Sequence, residues 1–516
     1  MKNRVISLAV FGLLLILSLF SVWRALSFKY IDGIRQAEMF YRQPENSIDV
    51  LCVGSSHCFC DLDPGEMYRY AGIAAYDFSA SEQPFWYSYE DIRTALKTQK
   101  PKLVVLEGYA AIHVPVDSES SRVIKNTFGL RAADRFRAIL GAESRADASD
   151  YLLGYRWWHS RWRDLHEDDF EKTDIYRNED FKGGTYASGT KPQERPAVEH
   201  FSKESLPLQE REEEFFRKIM ELCREKQVPV LVMVSPYILT EADQMHFQAL
   251  RDIAEDDQAP FVNFNSAAWY GKLGLDFSKD FAEESHLNYR GNRKLTDALC
   301  DLLRGGEDAD TGNAPAGIPD LPDRRGDASY ASWAGYAADM EAQAAMFGLR
   351  DADSAEALLD GISGNADLCT YLVTYSDTAQ IDRETGLSAK LWGGSAPAGG
   401  SAPTGGSAPA GESASVNPFT PEDGAVYRIA GGTAELLGSG TYSCEDELDH
   451  RTLSIRRTLD PDTGEALSHS IFYKDHEYLD DASGDWLVIY DERCRDLAAV
   501  YRIGVGEDGE VTLAKK

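Results

Sequence analysis

Apolar positions change their spacing several times along the chain. Val5–Trp23 (VISLAVFGLLLILSLFSVW) is an uncharged run of 19 residues. At 1.5 Å per residue it spans about 28 Å, close to the hydrocarbon thickness of a bilayer. Beyond it, short apolar runs alternate with amphipathic stretches. Ile48–Val53, Ala74–Phe78, Leu103–Leu106, Val228–Val234 and Phe261–Phe264 predict strands. Tyr87–Gln99, Gln209–Lys226, Glu241–Glu255 and Asn288–Arg304 predict helices. Asp63-Pro64-Gly65-Glu66 predicts a further helix start, with Asp63 as N-cap, Pro64 in the first turn and Glu66 closing a capping box. Continuous apolar strands separated by helices imply a parallel sheet covered on both faces. The expected fold is therefore α/β, a doubly wound five-stranded parallel sheet, over residues 29–305.

Three stretches depart from this rhythm. Residues 110–206 are too long for a simple crossover and predict a helical insertion near the ligand-binding edge. They include the aromatic segment Tyr155-Arg156-Trp157-Trp158-His159-Ser160-Arg161-Trp162. Residues 306–327, rich in Gly, Asp and Pro, predict a linker. Residues 328–516 predict a mainly β domain with a helix near Trp333–Gly348, interrupted at 393–416 by repeated GGSAP units that have no capacity for a core.

Composition narrows the function. The chain has 516 residues, long enough for two or three domains, and a net charge of −32. Of that charge, −23 falls between Glu307 and Lys516, which argues for a separate C-terminal module. So acidic a chain offers nothing to offset phosphate repulsion, which argues against nucleic acid as a partner. Lys2 and Arg4 precede the apolar run, so residues 1–28 predict a signal anchor. That makes a single-pass plasma-membrane protein with a cytoplasmic N-terminus and the bulk of the chain extracytoplasmic. The 8 cysteines are scattered and form no disulfide framework; Cys52, Cys223 and Cys300 read as buried small apolar residues. His57, Cys58 and Cys60 match no standard zinc spacing, and no metal or cofactor is implied.

Candidate chemistry lies at the strand ends. Gly54-Ser55-Ser56-His57 follows the first strand, at the edge where open parallel sheets bind ligands. The glycine there suits a tight turn. Glu283-Glu284-Ser285-His286 lies between the last strand and the last helix. A serine hydroxyl needs a base, and an imidazole needs a carboxylate to hold its tautomer. A carboxylate three residues before a histidine can curl back to its ring, so Ser56, His286 and Glu283 form a candidate triad.

GSSH after the first strand, SASEQP after the second, LVVLEGY at the third and ESHLNYRGNRKLTDAL at the end together resemble the SGNH/GDSL hydrolase superfamily. The resemblance covers Ile48–Arg304 and points to the membrane-anchored, DltD-like branch of Gram-positive bacteria. It implies an SGNH, flavodoxin-like sheet, with Ser56 as nucleophile and His286 as base. Glu283 stands where the family has Asp, with Asp280 as the fallback acid. The resemblance also implies oxyanion-hole donors at Ser56 and at Ser81 in the Ser79–Gln83 turn. Glu107 occupies the place of the family's donor asparagine, and a carboxylate cannot donate unless protonated. His57, Glu107 and Arg161 are the candidate substrate-binding residues.

Residues 328–516 weakly resemble an ILEI-like β module, on Asp485–Asp491 and Ala499-Val500-Tyr501. The implied activity is a serine esterase or O-acyltransferase acting on acyl groups of a cell-envelope polysaccharide or teichoic-acid-like polymer, with a membrane-bound O-acyltransferase as partner. The rival is a catalytically degenerate envelope protein that binds polymer or scaffolds an acylation complex.

Overall fold

The computed structural model describes the chain from residue 2, apart from residues 27–30, 113–118, 143–147, 149–150, 153–160, 164, 166–179, 364, 376–377, 393–420, 449–450, 465, 475, 479–484, 493, 495 and 507–510. His159 and most of its aromatic neighbours lie outside the described residues, as does the GGSAP tract. The chain divides into two compact units, Met1–Met340 and Glu341–Lys516.

The first unit is built on five strands: β1 Val50–Val53, β2 Ala75–Asp77, β3 Leu103–Glu107, β4 Val230–Val234 and β5 Phe261–Asn263. All neighbours are parallel, in the order β2-β1-β3-β4-β5. Side chains alternate between the two faces, and both faces are covered, which explains the unbroken apolar runs. Leu51, Val53, Val104, Leu106 and Val232 meet Phe85, Phe216 and Phe247 from the helices Phe85–Ala95, Glu210–Glu225 and Glu241–Asp256. Val50, Cys52, Val105, Leu231 and Met233 meet Met67, Trp269, Leu295 and Leu299 from Pro64–Ala71, Ala267–Leu273 and Tyr289–Leu303. The expected α/β class and its five strands are present. None of the described cysteines is in a disulfide, and Cys52, Cys223 and Cys300 are buried.

This strand order reverses between β1 and β3, and the crevice beyond the carboxyl ends of those two strands is where such sheets bind ligands. Ser56 and Glu107 both lie there.

Several local expectations need correction. Asp63 caps its helix by accepting the Gly65 N–H at 2.7 Å, but Glu66 closes no capping box. It is turned instead to Arg69, whose Nε lies 2.7 Å from Glu66 Oε2. The 110–206 segment is helical at Glu119–Thr127 and Ala132–Ala142, yet residues 181–206 form no helix. They run as a strap held by backbone bonds: Asp77 N–H to Lys182 C=O, Thr185 N–H to Phe59 C=O, and Lys191 N–H to Phe281 C=O. Gly183 permits the closest approach, because a Cβ there would stand 1.9 Å from Asp77 C=O. Residues 306–327, expected as a linker, carry Leu321 in the core, and Arg324 forks onto buried Asp49 at 2.7 and 2.9 Å.

The expected transmembrane span is also corrected. The helix Lys2–Leu26 forms, and its Leu13, Leu14 and Ile16 are exposed. Among the described residues, however, no helix is long and apolar enough to cross a membrane.

The second unit is mainly β, as expected. β6 Leu368–Val373, β7 Ala425–Ala430, β8 Thr433–Ser439, β13 Asp485–Asp491, β14 Asp496–Val505 and β15 Val511–Lys515 form an antiparallel sheet in the order β15-β14-β13-β6-β7-β8. β9 Tyr442–Leu448, β10 Arg451–Leu459, β11 Ala466–Tyr473 and β12 His476–Glu477 form a second sheet. Leu372, Leu487 and Ile489 pack on Leu358, Leu359, Ile381 and Leu387 of three short helices. Val373, Trp486 and Val488 of the opposite face pack on Leu453, Ile455 and Ile471 of the second sheet.

Candidate active site

β1 delivers the chain into a one-turn helix, Ser56–Phe59. Ser55 caps it: its Oγ accepts the His57 N–H at 3.2 Å and donates to Glu107 Oε2 at 2.8 Å. Glu107, at the end of β3, also accepts the Ser55 N–H at 3.3 Å and the Tyr109 N–H at 2.6 Å. One buried carboxylate thus ties the serine turn to the neighbouring strand. Burial nevertheless holds its pKa above the usual carboxylate range.

Gly54 is there for room rather than for an unusual turn, since its φ is not positive. A Cβ on it would stand 2.5 Å from Glu107 Cβ and 3.1 Å from Glu107 Oε2. Gly54→Ala should therefore displace Glu107 and cost about 1–3 kcal/mol of stability. Chemical denaturation checks this; an unchanged midpoint would contradict the clash.

The final loop supplies the other half. His286 Nε2 lies 2.8 Å from Ser56 Oγ, across 230 residues of sequence. The other ring nitrogen, Nδ1, is bonded to Glu283 Oε1, and Glu283 Oε2 accepts the Ser285 N–H at 3.0 Å. The three expected residues thus form a continuous Ser–His–Glu chain of contacts. Burial pushes the His286 pKa down, but the bond to Glu283 pushes it up, leaving it above the ordinary histidine value. Burial pushes Glu283 up, but His286 and the Ser285 amide pull it below the ordinary glutamate value. Asp280, the fallback acid, is elsewhere: it pairs with Lys294 Nζ at 2.6 Å and accepts the Asp276 N–H at 2.6 Å.

Ala80 N–H reaches Gly54 C=O at 3.4 Å, so the turn with Ser81 lies beside the serine turn. Among the described contacts, neither the Ser56 nor the Ser81 amide has an acceptor.

The three substrate-binding expectations fare differently. His57 is corrected: it is 1% exposed and stacks on Tyr109 with ring centroids 3.8 Å apart, so it cannot meet substrate directly. Glu107 is corrected too, since it is equally buried and its oxygens serve Ser55 and Tyr109. Arg161 sits in a short 3₁₀ helix, Arg161–Arg163, and no described contact of the triad involves it.

Two residues of the site escape a reading of sequence alone. Ser55 looks like turn filler, although a Ser before a helix start is a capping signal. Asp61 carries no such mark; only its position, four residues after His57, places it on the same side of a helical turn.

No family model and no curated protein matches the chain. Solved structures with similarity to it include a candidate acylhydrolase from Bacteroides fragilis NCTC 9343, at 10% identity and a TM-score of 0.25, covering 53% of this chain and 96% of that one. A GDSL-like lipase from Bacteroides thetaiotaomicron VPI-5482 is 12% identical with a TM-score of 0.24, covering 51% and 93%. A candidate GDSL-like lipase from Parabacteroides merdae ATCC 43184 is 10% identical with a TM-score of 0.25, covering 50% and 96%.

Proposed function

We propose that this chain is a serine-dependent acyl-transfer enzyme, acting on O-acyl groups of a cell-envelope polymer or glycan. The observation that carries the reading is the contact chain from Ser56 Oγ through His286 to Glu283. Ser56 attacks the acyl carbonyl while His286 Nε2 takes its proton. Glu283 holds Nδ1–H and offsets the imidazolium charge. The amides of Ser56 and Ser81 are the donors to the developing oxyanion. His286 then returns the proton to the leaving hydroxyl, and water or a second hydroxyl resolves the acyl-enzyme. Water gives an esterase and a sugar hydroxyl gives a transferase.

The glutamate in place of the family's aspartate and the missing donor asparagine at Glu107 favour a non-catalytic scaffold. Glu283 weakens that rival, because its longer side chain reaches Nδ1. An extracytoplasmic location, with a membrane-bound O-acyltransferase as partner, belongs to the same proposal. The exposed apolar side chains of Lys2–Leu26 support association with an apolar phase. Incubation with an O-acetylated envelope polysaccharide should give acetyl release, or transfer to added polymer, that is lost in Ser56→Ala. Equal turnover by Ser56→Ala would sink the reading.

The pH dependence has a defined sign. His286 works as base only when neutral, and its bond to Glu283 holds its pKa above the ordinary histidine value. Reactivity of Ser56 should therefore rise with pH, with a midpoint on the alkaline side of an ordinary histidine. Glu283→Gln should move that midpoint down. Labelling rates across pH 5–9 check both; a midpoint unmoved by the substitution would separate Glu283 from His286.

A further inference from the structure

Behind the triad lies a second carboxyl–imidazole pair that the chemistry above does not use. Asp61 Oδ1 accepts the Leu287 N–H at 3.0 Å, the amide next after His286. Asp61 Oδ2 stands 3.4 Å from His57 Nδ1. Both side chains are sealed, at 0% and 1% exposure. Neither His57 ring nitrogen has another polar partner within hydrogen-bond reach, and the Ser235 hydroxyl, which donates to the His57 C=O at 3.1 Å, lies beside the Asp61 carboxyl. The His57 ring lies 4.9 Å from the His286 ring.

The surroundings argue against charge on either group. Glu107, Tyr109 and Tyr237 face His57 from the ends of β3 and β4, Cys60 lies in the same turn, and Glu283 and His286 face both His57 and Asp61 from the final loop, Glu283 opposing and His286 favouring charge on Asp61. Among the described residues no lysine or arginine pairs with Asp61. A buried carboxylate without a cation is costly, and so is a buried imidazolium. The arrangement that satisfies both is one proton held between them, on Asp61 Oδ2 and donated to His57 Nδ1. Burial acts in the same direction, pushing Asp61 up to about 8 and His57 down to about 3.

We propose that Asp61 and His57 form a charge-neutral acid–imidazole pair that positions His286 against Ser56. This rests on the acyl-transfer reading of the site. Asp61 follows the helical turn that begins at Ser56, and its other oxygen holds the His286 loop. The carboxyl therefore sets the distance between base and nucleophile without adding charge beside them. Asp61 and His57 are positioning residues; neither touches the reacting atoms.

Two measurements on the full chain test this. Infrared difference spectra of wild type against Asp61→Asn should show a buried protonated carboxyl at neutral pH that ionises as the pH passes about 8. In fluorophosphonate labelling, Asp61→Asn keeps an acceptor for Leu287 and a donor for His57. It should label at least tenfold faster than Asp61→Leu, which keeps neither. A carboxylate band at neutral pH, or Asn and Leu variants that label alike, would overturn the proposal. Wild-type protein that fails to label at all would instead count against the serine enzyme, and the infrared band would still decide the pair.

Discussion

Alanine at His286 should slow covalent capture of Ser56 by a fluorophosphonate by about 10⁴-fold or more. The reason is local. Ser56 Oγ has one strong neighbour that can take its proton, His286 Nε2 at 2.8 Å. Without it the hydroxyl must lose its proton to water, and the serine reverts to an ordinary alcohol. The cavity left by the ring should cost little fold stability, because the His286 side chain is 23% exposed. Loss of labelling with an unchanged melting temperature is thus the expected pattern. Glu283→Ala should cost less than the roughly 10⁴-fold typical of a buried triad carboxylate. Its side chain is 41% exposed, so water screens its charge and can replace part of its role. Stopped-flow labelling of the variants in parallel gives both numbers. His286→Ala labelling within tenfold of wild type would remove the histidine from the mechanism.

Alanine at Glu107 should damage both stability and reactivity. Its buried carboxylate accepts from Ser55 N–H, Ser55 Oγ–H and Tyr109 N–H. Removing it strands those donors, and each stranded buried donor costs about 1–3 kcal/mol. A total near 3 kcal/mol or more is expected, seen as a fall of about 5 °C or more in the melting temperature of the first unit. The serine turn loses its tie to β3 in the same step, so labelling should fall as well. Glu107→Gln should lie between, since its amide oxygen serves some of the donors while its NH₂ opposes another. Calorimetry with labelling on the same samples separates the two effects. A Glu107→Ala protein as stable and reactive as wild type would show that the carboxylate holds nothing.

These expectations rest on features of unequal legibility. The strands of the first unit were readable because a parallel sheet buried on both faces leaves unbroken apolar runs such as Val230–Val234. The triad was readable because Ser56 follows β1 and the Glu283–His286 spacing permits one turn of contact. Other parts were not. β9 gives no apolar run, because it has one face in solvent and reads YSCEDEL, with only Tyr442 and Leu448 buried at its ends. The strap at 181–206 has no period at all; distant backbone partners such as Phe59 and Phe281 hold it. The roles of Glu107 and Asp61 depend on which donors the fold brings to them. Glu107 therefore read as a missing oxyanion donor when it is a tie between strands. His57 read as a substrate contact because it adjoins Ser56, but one residue along a helical turn is enough to send it inward.

The most direct test of the account is the site of covalent capture. Full-length protein would be treated with a fluorophosphonate at pH 8, digested and mapped by mass spectrometry, with Ser56→Ala beside it. The account predicts one adduct, on the peptide carrying Ser56, absent from the variant. An adduct elsewhere that survives Ser56→Ala, or none on protein whose melting curve shows it folded, would contradict it.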